Sequence, residues 1–140
     1  MTQTIHYETT KHIADQSLRN LYISIGWTSY TEQLTDLNVL LQGSRLVISA
    51  WYDNQLVGLI RTIGDGVSIE YVQDLLVLPE FQNRGIGSIL LEKVKKETSH
   101  IRQFVLITDN SPENQTTVEW YEQHGLIPVS DANIVALWRK

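Results

Sequence analysis

The 140-residue sequence contains no cysteine. That excludes disulfides, thiol nucleophiles and thiolate metal sites, and it suits a reducing compartment. Three prolines and eight glycines are too few for a linker or a low-complexity tract. No apolar run approaches the roughly 20 residues that a membrane span needs. The opening, Met1 to Glu8, lacks a basic-then-apolar leader pattern, so a cytoplasmic location is expected. Positive charge is also scarce: 11 Lys and Arg stand against 16 Asp and Glu, for a formal net charge of −5. A broad nucleic-acid surface is disfavoured on that count, because phosphate binding needs clustered cations. The four histidines lie far apart without ligand spacing, so no metal is expected. What remains, 42% hydrophobic and 19% charged residues, reads as one globular domain over residues 1–140.

The informative stretch is Gln73 to Lys96. Leu75-Leu76-Val77-Leu78 is an apolar run of strand length, and Pro79 ends it because proline lacks a ladder N–H. A polar loop, Glu80 to Arg84, leads to Gly85-Ile86-Gly87-Ser88. A helix follows, with Ile89, Leu90 and Val94 at helical spacing and Leu91 as a further candidate for the buried side. Strand, glycine turn and helix together make an anion site. The first helical N–H groups have no intrahelical partner, and glycines let a ligand approach them. Arg84 adds a full charge. The spacing is neither a Walker A loop nor G-x-G-x-x-G; it is Gln82-x-x-Gly85-x-Gly87.

Taken in order, Ile5 to Glu8 alternates and reads as an edge strand. Leu18, Leu21, Tyr22 and Ile25 share one helix face within Asp15 to Trp27, with Gly26 as the stop. A second helix is predicted from Thr31 or Thr35 to Gly43. Leu46–Tyr52, Leu56–Ile63 and Ser68–Leu78 form an antiparallel meander with turns at Asp53-Asn54-Gln55 and Gly64-Asp65-Gly66. Gln103–Thr108 reads as a strand, Asn114–His124 as a helix capped by Gly125, and Leu126–Val129 and Ile134–Trp138 as two short strands. The order predicts an α/β fold: a mixed, mainly antiparallel central sheet with helices on both faces.

The loop resembles the pyrophosphate loop of the GNAT superfamily of N-acetyltransferases, [QR]-x-x-G-x-[GA], in its strand–proline–helix context. Asn114 to Leu126 is similar to a second pattern of that family, N-x-x-A-x-x-[FW]-Y-E-x-x-G-[FL], with Thr117 in the alanine position. The resemblance runs along nearly the whole chain and implies the GNAT-like order β-α-α-β-β-β-α-β-α-β-β. It also implies acetyl-CoA as co-substrate and an amine, small or on a protein, as acceptor. It assigns the loop Gln82, Asn83, Arg84, Gly85, Ile86, Gly87 and Ser88 to the pyrophosphate. The backbone of Leu76 and Val77 falls to the pantetheine arm, Asn114 to that arm or the splayed strands, and Tyr121 to the coenzyme A sulfur. A homodimer through the last strands is an option the resemblance leaves open, and so is a catalytically silent CoA-binding module.

The chemistry restricts the remaining roles. A thiolate leaving group needs a proton, and a tyrosine hydroxyl can give it, which suits Tyr121. An acceptor amine is usually protonated near neutral pH, so a base is wanted. Asp74 and Glu70 are candidates, lying an even number apart on one strand and so on one face unless a bulge intervenes. The resemblance puts the segment between the first two helices beside the acceptor, which makes Trp27 and Tyr30 candidate contacts with core packing as the alternative reading. Arg61, on a central strand, either meets an acidic group of the acceptor or pairs with Asp74 or Glu70.

Overall fold

The computed structural model describes residues 4–140. Contacts divide the chain into two compact units, one ending at Ile107 and the other spanning Thr108–Lys140.

The first unit is built on a five-stranded sheet in the order β1-β2-β3-β4-β5. The strands are β1 (Ile5–Glu8), β2 (Leu46–Tyr52), β3 (Gln55–Gly64), β4 (Ile69–Val77) and β5 (Gln103–Leu106). The first four pair antiparallel, joined in the centre by the two turns that the sequence marks. Asp53 takes φ 52° in the first turn, a left-handed position that aspartate tolerates. In the second, the Asp65 carboxylate accepts the backbone N–H groups of Val67, Ser68 and Ile69. The Ser68 hydroxyl, donating to Oδ2 at 2.6 Å, and then these backbone bonds hold Asp65 well below the usual carboxylate pKa range. β5 is parallel to β4, and its register runs only from Ile69↔Gln103 to Val72↔Leu106.

One irregularity in β4 reorganises the sheet. Arg61 pairs with Asp74, yet the next residue, Thr62, pairs with Val72, so Gln73 is an extra residue on β4. Such a bulge swaps the facing of the strand on either side of it. Asp74 therefore shares the face of Arg61, and Glu70 shares the opposite face with Thr62. The bulge is present, so Glu70 and Asp74 do not share a face.

Helix α1 (Asp15–Ser24) packs on β3 and β4. It buries Leu18, Leu21 and Tyr22 completely, each apolar side chain contributing roughly 1.5–3 kcal/mol. It ends before Trp27, where Gly26 turns the chain at φ 80°. Helix α4 (Ile86–Glu97) covers the other face, over β2, β3 and β4. Its buried residues are Ile86, Leu90, Leu91 and Val94, while Ile89 is exposed. Leu91, rather than Ile89, thus completes the core stripe. Gly58 permits this approach: a Cβ there would stand 3.2 Å from Ile86 and 3.3 Å from Leu90.

The predicted second helix is instead two short ones, α2 (Ser29–Gln33) and α3 (Asn38–Gln42). Between them Leu34 is extended. Bonds to distant residues break the helix. Arg19 donates to the carbonyls of Thr31 and Leu34, and Asp15 accepts the Leu37 N–H. Asn38, 2% exposed, exchanges hydrogen bonds with the Ile13 backbone in both directions.

The second unit contains α5 (Gln115–Gln123), preceded by a 3-10 turn at Pro112–Asn114. Gly125 follows at φ 86°, as its capping role requires. The two expected closing strands are not formed. Val129–Ala132 is a 3-10 turn, and Ile134–Trp138 is unpaired, with Leu137 89% and Trp138 83% exposed.

Candidate functional site

The β4–β5 pairing ends at Val72, and among the described residues no strand pairs with Gln73 to Val77 on that side. The sheet therefore opens at the bulge and exposes a free length of backbone edge. At its far end the chain turns through Pro79–Phe81 into the glycine loop.

The loop leaves its backbone open to solvent. Gln82 to Gly85 are all exposed. Asn83 takes φ 63° and Gly85 φ 83°, so two left-handed residues turn the backbone into α4. The first helical bond runs from the Ile89 N–H to the Gly85 carbonyl, so the amides of Ile86 and Gly87 precede it. No side chain caps this end, and a Cβ placed on Gly85 would meet nothing within 4 Å. Open space and the amides of Ile86 and Gly87, at the positive end of a helix dipole, fit a phosphate group. Two side chains brace the loop. Gln82 donates from Nε2 to the Val77 carbonyl at 3.0 Å, tying the loop to the end of β4. The Arg84 guanidinium lies over the buried Phe81 ring, 4.8 Å from its centroid. Ile86 is buried under the loop and Ser88 is half-buried. Leu76 is buried; Val77 offers the edge backbone.

The sheet face under α1 carries a polar cluster that the sequence reading did not assemble. Asp74 Oδ2 accepts from Arg61 Nε at 2.6 Å and from the Tyr22 hydroxyl at 2.8 Å. Arg61 also reaches Ser44 Oγ at 3.4 Å and donates to the Tyr30 hydroxyl at 3.2 Å. Tyr30 accepts a second bond, from Gln73 Nε2 at 3.1 Å. The Tyr22 and Tyr30 rings meet edge to face at 5.4 Å. Burial, and then the Asp74 charge, push the Tyr22 phenol far above its ordinary pKa, so it stays a donor. Burial opposes the Arg61 charge, but the Asp74 carboxylate beside it outweighs that and leaves the guanidinium protonated. Arg61 is thus the partner of Asp74, not a free cation for an acceptor. Tyr22 was legible as a core residue only. Its signal was that a tyrosine on a buried stripe needs a partner for its hydroxyl.

Glu70 is fully buried on the other face. Arg45 Nε lies 2.6 Å from its Oε1, and the Thr62 hydroxyl bonds its Oε2. Both carboxylates taken as candidate bases are therefore in ion pairs, on opposite faces. Both are buried, Glu70 at 0% and Asp74 at 5% exposure. Trp27 is 44% exposed beside α2.

Within the second unit, Asn114 Nδ2 donates to Thr108 Oγ1 and to the Asp109 carbonyl, fixing the segment that enters the unit. Tyr121 packs edge to face with Trp120 at 5.2 Å. Burial pushes its phenol up to about 12, so it is a proton donor at any pH near neutrality. Among the described residues no group of three or more His, Asp or Glu side chains gathers where a metal ion would sit, and no helix is long and apolar enough to cross a membrane.

The comparisons with known proteins agree with this geometry. A family model described as Acetyltransferase (GNAT) domain matches residues 9–136. An uncharacterised N-acetyltransferase of Porphyra purpurea is 25% identical over 138 residues, covering 96% of this chain and 76% of its own. Among solved structures, a GNAT family acetyltransferase from Streptococcus pneumoniae TIGR4 superposes with a TM-score of 0.81 at 30% identity, over 98% of each chain. AAC(6')-Iy, in complex with the bisubstrate analogue CoA-S-monomethyl-acetylneamine, gives a TM-score of 0.69 over 98% of each chain. At 18% identity, that last likeness is one of fold.

Proposed function

The chain belongs to the GNAT family of acetyltransferases, and from that premise we propose that it acetylates an amine by direct attack of the amine on the thioester of acetyl-CoA. The observation that carries this reading is the uncapped, glycine-opened end of α4 standing beside the unpaired edge of β4. Acetyl-CoA supplies the acetyl group in activated form.

The chain's own residues then divide the work. Gln82 to Ser88 bind the pyrophosphate through backbone amides, with the Arg84 charge beside them. The free backbone edge at Leu76–Val77 takes the pantetheine arm as an added strand would be taken. A backbone N–H near Val77 meets the negative charge that grows on the carbonyl oxygen. Asn114 holds the segment Thr108–Asp109 in place. Tyr121, protonated near neutrality, gives its proton to the departing sulfur as the C–S bond breaks, and the proton shed by the new amide nitrogen passes through solvent and restores the phenol; acid catalysis of this kind is worth roughly 10²–10⁴-fold. With Asp74 and Glu70 both in ion pairs, no side chain is assigned as base, and the amine reacts from its neutral form in solution.

The same pairing supports a second reading, a CoA-binding module without turnover, because no carboxylate stands ready for proton removal. Titration calorimetry with CoA and acetyl-CoA, against ATP and NAD, tests the cofactor. Free-thiol release over a panel of amines then separates enzyme from silent module. We also propose that two copies pair through the exposed apolar segment Ile134–Trp138. Sedimentation of the protein with Leu137→Asp and Trp138→Asp tests it, and an unchanged mass would remove the proposal.

A further inference from the structure

The hydrogen-bond polarity of Tyr30 constrains the acceptor. Its hydroxyl oxygen takes two bonds, from Arg61 and from Gln73. A guanidinium can only donate, so the first direction is fixed. With both lone pairs of the phenol oxygen engaged, the remaining valence is its own proton. Among the described residues no acceptor takes that proton. The oxygen cannot turn to accept, because Arg61 is locked behind it, 5% exposed and bonded to Asp74 at 2.6 Å.

The place is as informative as the polarity. Gln73 is the extra residue of the bulge and the first residue beyond the last β4–β5 pair. It is exposed and carries the Tyr30 hydroxyl at 3.1 Å. Tyr30 therefore stands where the two strands part, beside the bulge residue Gln73.

We infer that Tyr30 selects acceptors that carry a hydrogen-bond-accepting oxygen near the reacting amine, and that Gln73 and Arg61 position it for this. The inference rests on the acetyl-transfer reading only for which nitrogen reacts. The attacking nitrogen must keep its lone pair for the carbonyl, so the Tyr30 proton goes to a second group. A hydroxyl, carbonyl or carboxylate oxygen can take it. An ammonium cannot, since it has donors only, and it would face an oxygen whose lone pairs are spent with a guanidinium behind. The site thus favours amino alcohols and other oxygen-bearing amines over plain alkylamines, and disfavours diamines.

The experiment compares a length series of aminoalkanols, alkylamines and diamines. It is read by thiol release from acetyl-CoA and, separately, by calorimetric binding to the protein loaded with CoA. The expected result is that the aminoalkanol of the best length exceeds the matched alkylamine by about tenfold in kcat/KM, the worth of one hydrogen bond. Tyr30→Phe keeps the ring contacts and brings the ratio to about one. Gln73→Glu turns the donor into an acceptor, captures the Tyr30 proton and lowers the ratio likewise, whereas Gln73→Lys, still a donor, retains it. Matching the amines cancels the change of charge. Equal rates for aminoalkanol and alkylamine, or a ratio that survives in Tyr30→Phe, overturns the inference and leaves acetyl transfer standing. A binding preference lost in Tyr30→Phe without any thiol release upholds the inference and removes acetyl transfer. Absence of both removes both.

Discussion

Arg61 Nε lies 2.6 Å from Asp74 Oδ2 on paired strands, and both side chains are 5% exposed. A buried pair of this kind is costly to break, because the survivor is left charged away from water. Asp74→Ala is expected to lower the unfolding free energy by about 3–5 kcal/mol, since it strands both Arg61 and the Tyr22 hydroxyl. The double variant Arg61→Met, Asp74→Leu is expected to recover most of that loss, since it leaves no unpaired charge. Urea unfolding of the three proteins measures both. A double variant as weak as the single one would mean that the pair does not carry the stability of this face.

On the mechanism proposed above, with Asp74 and Glu70 held in ion pairs, the acceptor itself sets the pH dependence of turnover. On the acid side kcat/KM is expected to rise with pH to a limb at the acceptor amine's own pKa. Exchanging the acceptor for a less basic amine moves that limb down by the difference in amine pKa. A limb that stays in place while the amine changes would identify an enzyme base and reverse the assignment.

Gly87→Glu is expected to abolish CoA binding. It puts a carboxylate beside the uncapped first turn of α4, where that charge satisfies the helix end and repels the pyrophosphate. Calorimetric titration reads the loss, and an unchanged affinity would detach the loop from the cofactor.

Much of this arrangement was legible in the chain. The meander, the glycine loop and α4 follow from local cues: a period-two apolar pattern, a proline stop, and glycines where φ turns positive. The left-handed turn at Gly85 was legible because glycine takes positive φ without strain, whereas nothing in the sequence marked the one at Asn83. The site was not legible where distant chain segments decide. Nothing local marks Gln73 as the extra residue that separates the facings of Glu70 and Asp74. Nothing local marks Leu34 for extension, since Arg19 on another helix holds its carbonyl. The apolar pattern of Ile134–Trp138 reads as a strand, but a strand needs a neighbour as well as a pattern.

Gly58 marks where sheet and loop meet, because Ile86 and Leu90 of α4 come within 3.2 and 3.3 Å of a Cβ placed there. Gly58→Val is expected to push the first turn of α4 off the sheet, at a cost of about 1–3 kcal/mol for overpacking. CoA affinity should fall with it, although Gly58 lies in the sheet and not in the loop. Loss of stability with unchanged CoA affinity would show that the loop keeps its geometry independently of the packing beneath α4.

Tyr121 supplies the last test, through two readouts that a packing role would not move together. Its phenol is pushed up to about 12 by burial, above the ordinary value of about 10. A group with a raised folded-state pKa contributes its full stability below the unfolded pKa and loses it as pH rises through the folded one. The wild type is therefore expected to lose stability between about pH 10 and 12 more steeply than Tyr121→Phe. The difference in ultraviolet absorbance between the two proteins should also show one phenol titrating late. At neutral pH the same substitution removes the proton offered to the leaving sulfur. Thiol release is then expected to fall at least tenfold, with CoA affinity nearly unchanged. Equal turnover with the alkaline difference intact would make Tyr121 a half-buried packing residue, and the departing thiolate would have to be protonated from solvent.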